Sequence, residues 1–89
     1  MGFVYCSIAM MKLDLHAERV EQAIDRVERF LDEAALRNQP EVLLIHGHGK
    51  GLLKNAVRAY LKTSPYSSSF RPGYPSEGGD GATVVTLRE

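Results

Sequence analysis

Val42-Leu43-Leu44-Ile45-His46-Gly47-His48-Gly49-Lys50-Gly51-Leu52-Leu53 decides the fold, because its character changes twice within a few residues. Val42 to Ile45 is a short, unbroken apolar run with Pro40 before it and Gly47 after it. That pattern predicts a central strand buried on both faces. Leu52, Leu53, Ala56, Val57, Tyr60 and Leu61 then follow the three-and-four spacing of an amphipathic helix that ends near Thr63 to Pro65. Between them lies a glycine-rich turn that opens a helix. Glycine lets a backbone take positive φ and approach a ligand closely. The free amides of a helix start favour an anion.

Outward from this segment the chain reads as one two-layer domain. Met11 to Leu15 predicts a strand with Leu13 and Leu15 on one face and Lys12, Asp14 and His16 on the other. Glu18 to Arg37 predicts a helix through Val20, Ala23, Ile24, Val27, Phe30, Leu31 and Ala34. Its acidic stripe, Glu18, Glu21, Asp25, Glu28 and Asp32, reads as a solvated face. Asn38 is placed to close this helix in a left-handed conformation, and Pro40 stops it. Tyr66 to Arg71, rich in serine, predicts an edge strand, Pro72 to Gly81 a loop, and Ala82 to Leu87 a last strand. The expectation is an α/β two-layer sandwich, β-α-β-α-β-β, with a four-stranded mixed sheet, a parallel first crossover and both helices on one face. Residues 1–10 form an apolar leader without a clear period, open to roles as an extra strand, a start-site extension or a dimer contact. Residues 11–89 form the domain.

Composition narrows the function. The chain has 89 residues, 44% hydrophobic and 25% charged, as in an ordinary globular domain. Its 11 basic and 11 acidic residues leave no net charge, so attraction to a polyanion has to come from local segregation. Such segregation is present. His46 to Pro72 holds Lys50, Lys54, Arg58, Lys62 and Arg71 with no acidic residue, and Lys50, Lys54 and Arg58 stand four apart on one helix stripe. The lone Cys6 excludes an internal disulfide and predicts a reduced, cytoplasmic chain. No apolar run is long enough for a membrane helix.

The chemistry-bearing residues gather at the strand–helix junctions. His16, His46 and His48 are all the histidines, and they sit in the segments leaving the first two strands. In an open α/β sheet, sites form beyond the carboxyl ends of parallel strands. Gly47, His48, Gly49, Lys50 and Gly51, with Lys54 and Arg58, make a phosphate-shaped site, though without the glycine-lysine-serine/threonine ending of a Walker loop. A tight structural turn is the plain alternative. Asp14-Leu15-His16 spaces a carboxylate to hold or charge a histidine, a residue that moves protons near neutral pH. Structural zinc is disfavoured, since only His46 and His48 are close in sequence and no cysteine pair accompanies them. A divalent ion, magnesium or manganese, on Asp14, Glu77 or Asp80 stays open. No nucleophile elbow is present.

Three motifs in order carry a resemblance: Leu13-Asp14-Leu15-His16, then Ile45-His46-Gly47-His48-Gly49-Lys50-Gly51-Leu52-Leu53, then Ser76-Glu77-Gly78-Gly79-Asp80-Gly81-Ala82-Thr83-Val84-Val85. Residues 12 to 88 resemble an Smr (small MutS-related) domain, either the carboxy-terminal one of the second-type bacterial MutS paralogue or a stand-alone bacterial protein. The resemblance implies a fold like the C-terminal domain of translation initiation factor three. It further implies DNA or RNA binding, endonuclease activity in many members, action in recombination control or at stalled ribosomes, and a place in a larger chain for the paralogue branch. Carried over, Asp14 and His16 match the Leu-Asp-Leu-His/Arg motif, and His46, Gly47 and Gly49 the His-Gly-x-Gly motif. Catalytic roles are thus expected of Asp14, His16 and His46, with His16 or His46 as acid or base. Two positions depart from the pattern. Ala17 stands where glycine is usual, so the turn it occupies is expected to differ. His16 stands where the paralogue branch usually has arginine. A non-catalytic nucleic-acid or ribosome binding module, and a plain protein-interaction domain, are the alternatives.

Overall fold

A computed structural model describes residues 10–48 and 51–88. The elements are β1 (Met11–Asp14), α1 (Val20–Leu36), β2 (Glu41–Ile45), α2 (Leu52–Leu61), β3 (Ser67–Pro72) and β4 (Ala82–Leu87). Two single turns of 3-10 helix, Pro75–Glu77 and Gly79–Gly81, lie between β3 and β4. The lateral order is β1-β2-β4-β3. β1 runs parallel to β2, and β4 runs antiparallel to both β2 and β3. This is the four-stranded mixed sheet with two helices that the sequence pattern predicts. Serine-rich β3 is an edge and apolar β2 is internal, each for the reason its composition indicates.

Register fixes the two faces. Met11, Val42, Val85 and Phe70 form one row across the sheet, and Lys12, Leu43, Val84 and Arg71 the next. The first row belongs to the main core, where Leu15, Val42, Leu44, Val85 and Leu87 meet Ala23, Val27, Leu31 and Ala34 of α1 and Val57 and Leu61 of α2. Both helices therefore cover the same face. Each large aliphatic side chain fully buried here contributes about 1.5–3 kcal/mol. Leu43, Ala82 and Val84 form a smaller cluster on the opposite face, with Met10 and Ile45 packed against it.

Helix boundaries follow their caps. Asn38 has φ +56. Its amide donates to Ala35 O at 3.0 Å and the Gln39 amide donates to Ala34 O at 3.0 Å. These two bonds make a Schellman motif, so α1 ends where Asn38 turns it. The start differs from expectation. α1 begins at Val20 rather than Glu18, because the Glu18 amide closes a turn on Leu15 O at 3.1 Å and Ala17 holds φ +66. The acidic stripe is not wholly a solvated face either: Asp32 accepts the Tyr66 hydroxyl at 2.8 Å and ties the start of β3 to α1. Residues 1–9 of the leader, and Gly49 and Lys50 of the glycine loop, lie outside the described residues.

Candidate nucleic-acid site

The carboxyl ends of β1 and β2 lie side by side. Asp14 pairs with Ile45, and the Leu15 amide donates to Ile45 O at 2.6 Å. Leu15 is buried in the core, which leaves its neighbours Asp14 and His16 outside. Asp14 Oδ1 accepts the backbone amide of His16 at 3.0 Å and lies 2.9 Å from His16 Nδ1. A carboxylate only accepts, so Nδ1 carries a proton, and in the neutral ring Nε2 is the bare nitrogen. The side-chain hydrogen bond from His16 holds the Asp14 carboxyl below the usual range, and the same bond raises the His16 imidazole. The next residue, Ala17, keeps the left-handed conformation despite its side chain. The turn retains the backbone that glycine would give it, contrary to the sequence expectation, and alanine carries strain of about 1–2 kcal/mol.

The loop after β2 meets this turn at Gly47, whose φ is +81. A Cβ placed on Gly47 would sit 3.6 Å from His16 Cβ, so space remains and the left-handed backbone is what calls for glycine. Gly81 O anchors the loop from the other side by accepting the amides of His46 at 3.0 Å and Gly47 at 2.9 Å. Gly51, at φ +82, is the N-cap of α2. His48 is exposed, and its ring rests against Gly81, where a Cβ would lie 2.8 Å from the imidazole. Between the Ala17–Glu18 turn and the first turn of α2 is a hollow of about 250 Å³, lined also by His46, His48 and Lys54. A larger hollow of about 460 Å³ sits at the far end of the sheet, by Asn38, Pro40 and Arg88, away from the histidines.

His46 has a different setting from His16. It is 4% exposed, on the helix-facing side of β2's continuation. Its Nδ1 lies 3.0 Å from Gly47 O and its Nε2 lies 2.8 Å from Thr83 Oγ1. A carbonyl only accepts, so Nδ1–H donates to it and Nε2 accepts the Thr83 hydroxyl. Thr83 Oγ1 in turn accepts Arg58 Nε–H at 3.0 Å. Burial, more than the neighbouring Arg58, pushes the His46 imidazole down and keeps it neutral.

The basic stripe is less free than its sequence reading implies. Lys54 Nζ lies 2.5 Å from Asp80 Oδ2, and Arg58 Nη2 lies 3.3 Å from Asp80 Oδ1. Sequence reasoning missed Thr83, and it considered Asp80 as a metal ligand but not as the partner of Lys54 and Arg58. Asp80 stands 26 positions from Lys54, and no local pattern links them. Thr83 reads simply as a β-branched strand residue.

The carboxylates considered for a divalent ion are each engaged: Asp14 by His16, Glu77 by Arg71 at 3.1 Å, and Asp80 by Lys54 and Arg58. Among the described residues no three histidine, cysteine, aspartate or glutamate side chains converge. Each of these carboxylates is thus already paired within the fold. His46 does not fit zinc, since both its ring nitrogens are engaged within the fold.

Comparison with known proteins places this geometry. The Smr domain family matches residues 13–88, nearly all of the chain. The chain belongs to the Smr domain family. Its relatives include "Endonuclease MutS2" of Bacillus cytotoxicus, 50% identical over 78 residues, and "Endonuclease MutS2" of Anaeromyxobacter, 48% identical over 77 residues. These matches cover 88% and 86% of this chain but 10% of each relative, so the chain spans about a tenth of their length. Among solved structures, the Smr domain of Thermus thermophilus MutS2 superposes with a TM-score of 0.87 at 36% identity, covering 90% of this chain and all of that one. YdaL, a stand-alone small MutS-related protein from Escherichia coli, superposes with a TM-score of 0.76 at 31% identity, covering 88% of this chain and 64% of that one. Among the described residues of this Smr domain, no helix is long and apolar enough to cross a membrane.

Proposed function

We propose that this Smr domain binds nucleic acid and cleaves its phosphodiester bonds, with His16 as the proton-transfer group and Asp14 as the carboxylate that orients and charges it. The observation that carries the reading is the 2.9 Å contact between Asp14 Oδ1 and His16 Nδ1, on exposed side chains next to Ala17 and Gly47, which line the hollow. A carboxylate that fixes the Nδ1–H tautomer leaves the lone pair of the neutral ring on Nε2, in a side chain that is exposed. The same carboxylate stabilises the imidazolium once a proton is taken. Relatives named endonucleases share the domain at close to half identity.

RNA is the substrate that suits these residues best. Its nucleophile, the 2′-hydroxyl, is part of the substrate, so no bound ion is needed to generate one. His16 Nε2 takes the 2′-hydroxyl proton, the 2′-oxygen bonds to phosphorus, and the bond from phosphorus to the 5′-oxygen breaks. The leaving oxygen takes a proton from the imidazolium or from water, and a 2′,3′-cyclic phosphate remains. His48, Lys54, Arg58 and the loop amides, with Gly49, Lys50 and Gly51 as the sequence motif assigns them, hold the phosphates. His46 is a positioning residue in this scheme. Its buried, neutral ring bonds the Gly47 carbonyl and keeps the loop against His16.

The experiment is cleavage of end-labelled single-stranded RNA and of supercoiled DNA, each in EDTA or magnesium, beside Asp14→Ala and His16→Ala. RNA cut in EDTA, with the cut lost in both variants and binding retained, is the expected result. Nicking of DNA only in magnesium would overturn the metal-free scheme. Binding without cleavage of either substrate would make the domain a docking module.

A further inference from the structure

Asp80 occupies the cationic pair of α2 in the way a phosphate would. Its two carboxylate oxygens are divided between the two cations, Oδ2 to Lys54 Nζ at 2.5 Å and Oδ1 to Arg58 Nη2 at 3.3 Å. The Arg58 guanidinium does not depend on Asp80 for its place. Its Nε donates to the buried Thr83 hydroxyl at 3.0 Å, and Nη2 also reaches Ala82 O at 3.4 Å. Lys54 and Arg58 side chains are 24% and 21% exposed, whereas that of Asp80 is 53% exposed. The cations are thus built into the domain, and the anion between them is the accessible partner. It sits in a single 3-10 turn flanked by Gly79 and Gly81, and Lys54 also lines the histidine hollow.

We infer that Asp80 is the resident anion of a phosphodiester subsite formed by Lys54 and Arg58, and that substrate binds there by exchanging with it. The inference rests on the nucleic-acid reading above and adds the residue that sets the affinity of the site. Three consequences follow from the exchange. An incoming phosphodiester gains only the difference between its own contacts and those of Asp80, so binding is weaker than the two cations alone would give. The subsite also favours an anion that presents two oxygens to both cations at once, as the non-bridging oxygens of a phosphodiester do. Because the internal carboxylate already neutralises the pair, fewer counterions are released when the backbone docks, and the salt dependence of binding is flattened.

The test compares the parent with Asp80→Asn and with Asp25→Asn, which makes the same change in net charge on the exposed face of α1. Inorganic phosphate is titrated by NMR, and a short single-stranded RNA is titrated across a salt series under conditions where it is not cut. For Asp80→Asn the expected result is tighter binding of both, by about three- to tenfold for the RNA, with the slope of log Kd against log salt steeper by about 0.7, one further counterion on a single strand. Asp25→Asn is expected to change either by less than about twofold, since screening removes distant charges. Asp80→Ser repeats the measurement with a small residue suited to the turn, should the amide disturb it. Phosphate bound no more tightly by both Asp80 variants than by the parent overturns the inference. Tighter phosphate binding with no RNA binding by any variant supports the anion site and overturns the nucleic-acid reading.

Discussion

His46 Nε2 lies 2.8 Å from Thr83 Oγ1, and this contact joins the glycine loop to the last strand and to α2. The chain of donors has one consistent direction: Arg58 Nε to Thr83 Oγ1, Thr83 hydroxyl to His46 Nε2, His46 Nδ1 to Gly47 O. Thr83 is fully buried, so no water takes over when it is removed. Thr83→Val keeps the β-branched shape and deletes only the hydroxyl. It is expected to cost about 1–3 kcal/mol, the penalty of leaving the imidazole nitrogen and the guanidinium N–H without partners. Urea unfolding measures this, and a loss below about 0.5 kcal/mol would mean that the network is not closed as described.

The two histidines tilt stability in opposite directions with pH. His46 has a lowered value in the fold, caused first by burial. The unfolded chain then binds that proton more readily, so stability is lost as pH falls below the ordinary value of about 6.5 and levels off beneath the folded value. His16 has a raised value, caused first by its hydrogen bond to Asp14. Its contribution is complete below about 6.5 and fades as pH rises through the folded value. His46→Gln should flatten the loss of stability below about pH 6.5, and His16→Gln the loss above it. A parental profile that stays level on both sides of that pH, and is unchanged in both variants, would show that neither histidine is shifted.

Most of the architecture was legible because it is locally encoded. The apolar run of β2, the helical spacing of α1 and the Asn38–Pro40 stop each depend on neighbours within a turn or a strand. The lateral insertion of β4 between β2 and β3 does not, since antiparallel pairing over some 40 residues leaves no local trace. The Asp14–His16 contact was legible, being two residues long. The setting of His46 was partly legible: period two from Val42 and Leu44 puts position 46 on the helix-facing side. Its partner Thr83 and the Asp80 bridge were not legible, because each links segments that only the folded sheet brings together.

Ala17 stores strain that one substitution should release. An L-residue in the left-handed region is disfavoured by about 1–2 kcal/mol. Glycine there costs about 0.4–1 kcal/mol through the greater freedom of the unfolded chain. Ala17→Gly is therefore expected to stabilise the domain by about 0.5–1 kcal/mol. Ala17 is exposed at the mouth of the hollow, so the change removes no core contact. A denaturant midpoint that falls, or does not move, would show that Ala17 is not held at its φ of +66 in solution.

The pH dependence of cleavage separates a catalytic His16 from a merely structural one. A general base acts in its unprotonated form, so the rate rises as pH passes through the His16 value. Asp14 raises that value by its hydrogen bond and by its charge. Asp14→Asn retains an acceptor for the imidazole N–H but loses the charge, so the His16 value falls and the rising limb of kcat/KM moves to lower pH. The maximum rate should fall as well, by about tenfold to a hundredfold. The imidazolium formed in the transition state has lost its counter-charge, and a loss of that size is about 1.4–2.7 kcal/mol. Nucleic-acid binding should hold steady, because Asp14 contacts no phosphate in this scheme. A rate that falls with no movement of the limb would indicate that Asp14 supports the turn and that the titrating base lies elsewhere.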